Sequence, residues 1–174
     1  MTGRPEITVV AAPGGDAAAP EGLARLLADY HLRTEAEKGA AVPGVADLPE
    51  RYRAEVLDTA AAFAGHTVLV ARSAGAAVGC LVLTAPHAGG SEIKRLWVDP
   101  AGRGRGVASA LVGAALARAA AAGTGTVRLS VWAWRTTAIG LYRRLGFTVV
   151  GSWDDRDGLV CMERVAGRPP RPGS

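Results

Sequence analysis

Hydrophobic and polar positions follow two different periods along this chain, which predicts strands that alternate with helices. Apolar residues that recur every three or four positions, as at Leu23, Leu26, Leu27 and Tyr30, are typical of helices. Helices are therefore expected at 20–38, 48–64, 106–122 and 136–145. Short apolar runs bounded by glycine, proline or polar turns are typical of strands. Such runs lie at 6–12, 67–72, 77–84, 92–98, 126–133, 147–153 and 159–165.

The order of these elements indicates an α/β fold with a mixed sheet covered by helices on both faces. The chain shows no internal repeat and no linker between two units, so we expect one domain over residues 1–166. Residues 167–174 are rich in proline, glycine and arginine, a composition that predicts a disordered tail.

Composition narrows the classes of function for these 174 residues. No apolar stretch is long enough to cross a membrane and no apolar leader opens the sequence, so we expect a cytoplasmic protein without a membrane partner. Cys80 and Cys161 lie in separate strand patterns, where buried thiols are expected, and the scattered histidines predict no metal site. The formal charge of +4 favours an anionic partner only weakly, and nucleic acid is not required.

A glycine- and arginine-rich turn separates the strand at 92–98 from the helix at 106–122. Backbone N–H groups at the start of a helix lack intrahelical partners and lie at its positive end, which suits phosphate oxygens. Gly104 and Gly106 let a phosphate approach the backbone, while Arg103 and Arg105 add positive charge. The turn therefore predicts a phosphorylated ligand.

Two common phosphate loops do not fit this turn. A P-loop needs lysine and then serine or threonine after its last glycine, whereas Val107 and Ala108 follow Gly106. A dinucleotide-binding loop needs a third glycine where Ser109 stands, and an acidic residue about 20 positions later that this chain lacks.

A third loop does fit, and two neighbouring segments agree with it. Arg103–Ala108 matches the pattern [R/Q]-x-x-G-x-[G/A], with LWVDP before it at 96–100 and LYRRLGF after it at 141–147. Together these segments resemble the GNAT superfamily of acetyl-CoA-dependent N-acetyltransferases, and the resemblance covers residues 67–165. It implies a sheet whose central strands, here 92–98 and 126–133, splay apart around the acyl-pantetheine arm.

The resemblance also implies which residues hold acetyl-CoA. The backbone of Leu96, Trp97 and Val98 would pair with the pantetheine, because strand-edge amides suit an amide-bearing arm. Arg135 stands where the superfamily usually has an asparagine that contacts the pantetheine, so this contact is lost or altered. The pyrophosphate would be held by the residues of the turn and first helical turn, namely Arg103, Gly104, Arg105, Gly106, Val107, Ala108 and Ser109.

Acetyl transfer to an amine needs a neutral amine, support for the charge on the thioester oxygen, and a proton for the leaving thiolate. Tyr142 stands at the superfamily's general-acid tyrosine, and a phenol keeps its proton at neutral pH. Glu92 is the only carboxylate on the central strand and is a candidate base, with ordered water as the equal alternative. His87, in the preceding loop, is a lower-ranked base.

The acceptor is less defined by the sequence. Trp132 and Trp134 either line its pocket or fill the interface between sheet and helix. Five carboxylates near the first two helices predict either an acidic mouth for a cationic amine or simply solvated helix ends; they are Asp29, Glu35, Glu37, Asp47 and Glu50.

We predict an N-acetyltransferase that acts on the primary amine of a small molecule. A protein or peptide acetyltransferase is the alternative within this chemistry, and a non-catalytic acyl-CoA-binding or sensing domain is the alternative outside it. A homodimer is a further option for assembly.

Overall fold

The computed structural model describes residues 3, 5–15 and 19–165. Seven strands form one sheet in the order β1-β2-β3-β4-β5-β7-β6. The strands are β1 (Ile7–Pro13), β2 (Thr67–Ser73), β3 (Ala76–Leu83), β4 (Gly90–Val98), β5 (Thr126–Trp132), β6 (Thr148–Val150) and β7 (Leu159–Val165). The helices are α1 (Leu23–Glu37), α2 (Glu50–Leu57), α3 (Thr59–Ala62), α4 (Val107–Ala121) and α5 (Thr136–Arg144), with single 3-10 turns at Val45–Asp47 and Pro100–Gly102.

The sheet is mixed, as predicted, and it opens in the middle. Adjacent strands run antiparallel except β4 and β5, which are parallel. These two strands pair only where Gly90–Glu92 lies beside Thr126–Arg128, and beyond Glu92 they separate. The splay of the central strands is therefore confirmed, and it leaves the second half of β4 bonded to β3 alone.

Helices cover both faces of the sheet, because successive strand residues point to opposite sides. In β2, Leu69 and Ala71 pack in a core formed with α4 and Tyr142 of α5, whereas Val68 and Val70 pack in a second core with α1. All four side chains are at most 3% exposed. Both cysteines are buried and free, as the sequence predicts.

The second predicted helix, 48–64, is broken into α2 and α3. Asp58 leaves helical geometry at φ −137° and ψ 68°, and its carboxylate accepts a hydrogen bond from the Ala61 N–H at 3.3 Å. An aspartate that can cap the next turn competes with helix continuation, so the stripe of apolar residues overstates the length of the helix.

The strand predicted at 147–153 is shorter than expected. Only Thr148–Val150 pairs with β7, because the chain then enters a turn in which the Ser152 hydroxyl donates to the Asp154 carbonyl at 2.9 Å. The tail predicted at 167–174 lies outside the described residues. None of the described helices has the length and hydropathy to cross a bilayer, and no described group of three or more His, Cys, Asp or Glu residues could hold a metal.

Candidate active site

The separation of β4 from β5 opens a cleft with a volume of about 1070 Å³. Small-molecule pockets usually enclose roughly 300–1,000 Å³, so this cleft has room for a cofactor arm and a second molecule. Its walls come from α1, α2, β4, the start of α4, β5, α5 and the segment between β6 and β7. We divide it into a donor end, lined by Leu96–Val98, residues 103 and 104 and residues 106–109, and an acceptor end, lined by Tyr52, Glu92, Arg128 and Trp132.

The donor end has the geometry of an anion site. Gly104 and Gly106 have φ values of 74° and 79°, in the left-handed region that favours glycine, and they turn the chain into α4. Within the described chain, the N–H groups of residues 104–109 donate to no backbone or side-chain acceptor. A row of unpaired N–H groups at the positive end of a helix fits a pyrophosphate.

Arg103 is held beside this row. Its Nε donates to the Val98 carbonyl at 3.3 Å, and its guanidinium lies 5.1 Å from the centre of the Trp97 ring. Arg105 is exposed, whereas the side chain of Val107 is buried in the core, so Val107 offers only its backbone to a ligand. Ala108 and Ser109 line the cleft in the first turn of α4.

The second half of β4 offers a free strand edge. Leu96 and Val98 pack toward α4, Trp97 packs toward α1, and the edge of all three that faces β5 has no paired strand. A β-bulge precedes them, where Arg95 has a φ of 57°, an uncommon value for a residue with a side chain. The sequence around Arg95 carries no glycine or other turn signal that predicts this bulge.

Tyr142 lies in α5 on the wall of the cleft. Its side chain is only 5% exposed and packs edge-on against Phe147 at 5.8 Å. Burial raises the pKa of Tyr142, the nearby Tyr30 raises it further, and Arg135 opposes the change only in part. The phenol is therefore fully protonated at neutral pH, and it makes no hydrogen bond with any described residue.

Glu92 is the last residue of β4 that pairs with β5, at the point where the strands part. Its side chain is 19% exposed and lines the cleft, with Oε2 at 4.0 Å from the Lys94 ammonium. Arg128 is its register partner on β5. His87 does not line the cleft; its backbone is bonded to Gly90 in the turn before β4, which leaves Glu92 as the better placed candidate base.

The family follows from comparison with known proteins. Residues 24–147 match the family described as Acetyltransferase (GNAT) family, which is well over half of the chain. The chain belongs to the GNAT family. It is therefore an acyltransferase that uses acetyl-CoA as its donor, and the unpaired N–H groups of the donor end suit the pyrophosphate of that molecule. No curated protein matches the chain.

Solved structures share the fold at low sequence identity. The PaiA N-acetyltransferase from Thermoplasma acidophilum, solved with coenzyme A, is 17% identical with a TM-score of 0.69, over 92% of this chain and 99% of that one. A GNAT acetyltransferase from Staphylococcus aureus Mu50 is 12% identical with a TM-score of 0.69, over 92% and 99%. One from Elizabethkingia anophelis, with acetyl-CoA bound, is 15% identical with a TM-score of 0.59, over 91% and 97%.

Arg135, where GNAT proteins usually carry asparagine, ties α1 to the β5–α5 junction. Its Nη2 donates to Glu37 Oε2 at 2.8 Å and to Thr34 Oγ1 at 2.7 Å, and its guanidinium lies over Tyr30. Burial favours a higher pKa for Glu37, but hydrogen bonds from Trp134 and Arg135 outweigh it and lower the pKa. The predicted contact of Arg135 with the cofactor remains a prediction; the contacts observed join two distant segments.

Sequence reasoning missed a partly buried ion pair between α2 and β4. Glu55 of α2 accepts two hydrogen bonds from Arg95, at 2.7 and 2.9 Å, and lies 2.6 Å from His31 Nε2. Burial alone would raise the pKa of Glu55, but the hydrogen bonds from Arg95 and His31 lower it to about 2. The partners lie 40 and 24 positions from Glu55, so no local pattern could have revealed them.

One of the two predictions for the carboxylates near the first two helices, an acidic entrance to the acceptor pocket, is wrong. Of the five carboxylates, only Glu37 lines the cleft, and Arg135 neutralises it. Asp29 lies 3.5 Å from Arg25, and Glu35 is paired with a lysine of the same helix end. Two tryptophans line the cleft instead: Trp132 and Trp134 stack at 4.7 Å, and Trp134 is 45% exposed.

Proposed function

We propose that this protein acetylates the primary amine of a small molecule, by direct attack of the amine on acetyl-CoA in a ternary complex. The observation that carries the proposal is one continuous cleft that joins the row of free N–H groups to Tyr142, Glu92 and an aromatic pocket. Acetyl-CoA supplies an activated acyl group, and the residues of the chain bind, orient and exchange protons around it.

At the donor end, the chain would hold the cofactor mainly through its backbone. The N–H groups of residues 104–109 would bind the pyrophosphate, with Arg103 and Arg105 adding charge. The free edge of Leu96–Val98 would pair with the pantetheine amides. Arg135 would act here through α1, since Glu37 and Thr34 already occupy its guanidinium.

Tyr142 and Glu92 would handle the protons. The raised pKa of Tyr142 keeps the proton on the phenol until negative charge develops on the leaving sulfur, where the phenol can donate. Glu92, partly exposed at the point where β4 and β5 part, would accept the proton of the attacking amine directly or through water.

The walls of the acceptor end favour a small molecule over an extended chain. The Lys38 ammonium, from just after α1, lies 5.7 Å from the ring centre of Tyr52 and 5.7 Å from that of Trp132, so it bridges opposite walls. Arg156, from the segment before β7, also lies 5.7 Å from the Trp132 ring. A peptide acceptor would need an open groove along β4, whereas these contacts narrow it.

A panel of small amines and lysine peptides, assayed with acetyl-CoA by release of free thiol, tests the proposal. We expect thiol release with at least one small amine and none above background with peptides. Faster release with peptides would replace the small-molecule acceptor with a protein one. Tight binding of acetyl-CoA without thiol release for any amine would leave a CoA-binding domain that has lost turnover.

A further inference from the structure

The acceptor end carries more positive charge than its carboxylates neutralise. Three of its cations are paired: Arg95 with Glu55, Arg135 with Glu37, and Arg156 with Asp154, at 2.7 to 2.8 Å. Lys38 is likewise paired, with its Nζ 2.6 Å from Glu35. These pairs shape the walls of the cleft and leave little charge for a ligand.

Three further cations that line the cleft are paired weakly or not at all with the described carboxylates. Arg128 forms no ion pair there, and its guanidinium lies 4.9 Å from the centre of the Trp153 ring. Arg51 donates to the Tyr52 hydroxyl and forms no ion pair. The Lys94 ammonium reaches only Glu92, at 4.0 Å. All three side chains are exposed and available to a ligand.

Two of these cations come from positions next to the candidate base in the sheet. Lys94 is two positions beyond Glu92 on the same face of β4, and Arg128 is the register partner of Glu92 on β5. Arg128 forms no ion pair with Glu92 or with Glu163, its register partner on β7, and its guanidinium lies over Trp153 instead, so its positive charge in the cleft is left without a described carboxylate within 4.0 Å. At 4 Å, a unit charge contributes about 1 kcal/mol in water and about 4 kcal/mol near a protein surface.

The positive charge of Lys94 and Arg128 favours some acceptor amines over others. A polycationic amine is repelled, whereas a carboxylate or phosphate on the acceptor is attracted, and a guanidinium such as that of Arg128 can bind either oxyanion through two parallel hydrogen bonds. Nearby positive charge also favours the neutral form of a bound amine, which is the nucleophilic form.

Aromatic surface next to these cations indicates the rest of the acceptor. The stacked pair of Trp132 and Trp134 and the ring of Trp153, which is 36% exposed, all line the cleft. Exposed tryptophan rings offer a large apolar face to a ligand. An apolar or planar body of the acceptor fits this surface.

We infer that the acceptor is a small amine that also carries an oxyanion, a carboxylate or a phosphate, on an apolar or aromatic body. Arg128 and Lys94 bind the oxyanion, and the tryptophan surface holds the body while the amine lies at Glu92. This inference rests on the proposed function, because it names the class of amine that the same cleft acetylates.

The first test compares amines that differ only in the anionic group. Phenylalanine is paired with phenylalaninamide, leucine with leucinamide, and phosphoethanolamine with ethanolamine; spermidine represents polycations. Rates of thiol release are compared per concentration of free amine, because the amide and the acid differ in basicity. We expect kcat/KM to favour the anionic member by at least about tenfold, equivalent to 1.4 kcal/mol.

Each outcome of this panel decides something. Preference for the carboxylates or for the phosphate identifies which oxyanion the site takes. Equal or better turnover of the amides or spermidine overturns the inference and leaves the proposed function intact. Thiol release with none of these amines, and with no other amine of the earlier panel, overturns both.

The second test reverses charges in the protein. In Arg128→Glu and Lys94→Glu, the ratio of kcat/KM for acid over amide should fall at least about tenfold. Arg118→Glu is the matched control, because Arg118 is exposed in the last turn of α4 and lies outside the cleft. A ratio within one preparation does not depend on the folded fraction. An unchanged ratio in Arg128→Glu, or an equal fall in Arg118→Glu, would overturn the assignment.

Discussion

The two ends of the cleft are built by different means. The donor end uses backbone groups from one continuous stretch, 96–109, in which glycines set the turn and the N–H groups of residues 104–109 stay free. The acceptor end uses side chains from segments far apart in sequence, joined by ion pairs such as Glu37 with Arg135, 98 positions apart, and Glu55 with Arg95, 40 apart.

This difference explains what each end can tolerate. Backbone recognition depends on a few φ angles and on the absence of bulk, so one substitution at a glycine can destroy it. Side-chain recognition depends on pairs that neutralise each other, so one substitution leaves a partner charge uncompensated and changes both stability and selectivity. The substitutions below separate these two kinds of dependence.

Gly106→Glu should have the largest effect, because it places a carboxylate and bulk where the N–H groups face the pyrophosphate. We expect acetyl-CoA binding measured by calorimetry to fall below detection. Gly106→Asn tests added bulk without charge, since asparagine tolerates a φ of 79° better than most side chains. Gly113→Glu, on the exposed middle of α4, controls for the added charge. Normal affinity in a folded Gly106→Glu protein would exclude the assigned pyrophosphate site.

Tyr142→Phe keeps the ring in its packed position and removes only the phenolic proton. Loss of one positioned acid should lower kcat by roughly 10²- to 10⁴-fold, with the dissociation constant for acetyl-CoA unchanged. Pre-steady-state measurement of thiol release gives the chemical step directly. If that step proceeds at the wild-type rate, Tyr142 is a packing residue only.

Glu55→Gln should remove a pH-dependent part of the stability. The folded pKa of Glu55 is about 2 and its ordinary value is 4.5, so its ionised form stabilises the fold above pH 4.5 and this contribution is lost as pH falls toward 2. The pKa shift of Glu55 corresponds to about 3 kcal/mol in the free energy of unfolding at neutral pH. Urea unfolding should show a deficit for Glu55→Gln at pH 7 that closes between pH 4.5 and 2.

Glu50→Gln is the matched control for this measurement, because Glu50 is exposed in the first turn of the same helix. It should follow the wild-type pH dependence. A deficit of Glu55→Gln that stays constant down to pH 2 would show that the helix has lost packing rather than a charge.

Glu92→Gln should have the smallest effect, because water beside a partly exposed carboxylate can take over some of the proton transfer. We expect kcat/KM at neutral pH to fall by about 10²-fold, the lower end of the range for a positioned base. The defect should shrink as pH rises and free amine becomes abundant. A pH–rate profile equal to that of the wild type in shape and height would exclude Glu92 as the base.

Much of the fold could be predicted because its signals are local. The alternation in β2 and the α1 stripe place those elements within a few residues of their observed bounds. The predicted helix at 48–64 failed because the stripe of Tyr52, Val56 and Ala60 carried more weight than Asp58, whose side chain caps a new turn. Asp58 was the one signal in the sequence that could have predicted the break between α2 and α3.

The two ends of the cleft also differ in how well the sequence predicts them. The turn at Arg103–Ala108 could be found from sequence because glycine positions report backbone geometry directly. The acidic mouth was wrong because a carboxylate in the sequence does not reveal its partner: Glu37 lies beside Arg135 and Glu35 beside Lys38. Which charges neutralise each other is decided by tertiary packing, which a single sequence does not display.

The short pairing of β4 with β5 also affects how the centre of the sheet meets solvent. Beyond Glu92, amides of β4 that face β3 are bonded, whereas those that face β5 have no strand partner. Amide hydrogens on such an edge exchange with deuterium by local fluctuation rather than by global unfolding. In the protein without acetyl-CoA, we therefore expect slow deuterium exchange for the β4 amides that face β3 and rapid exchange for those that face β5.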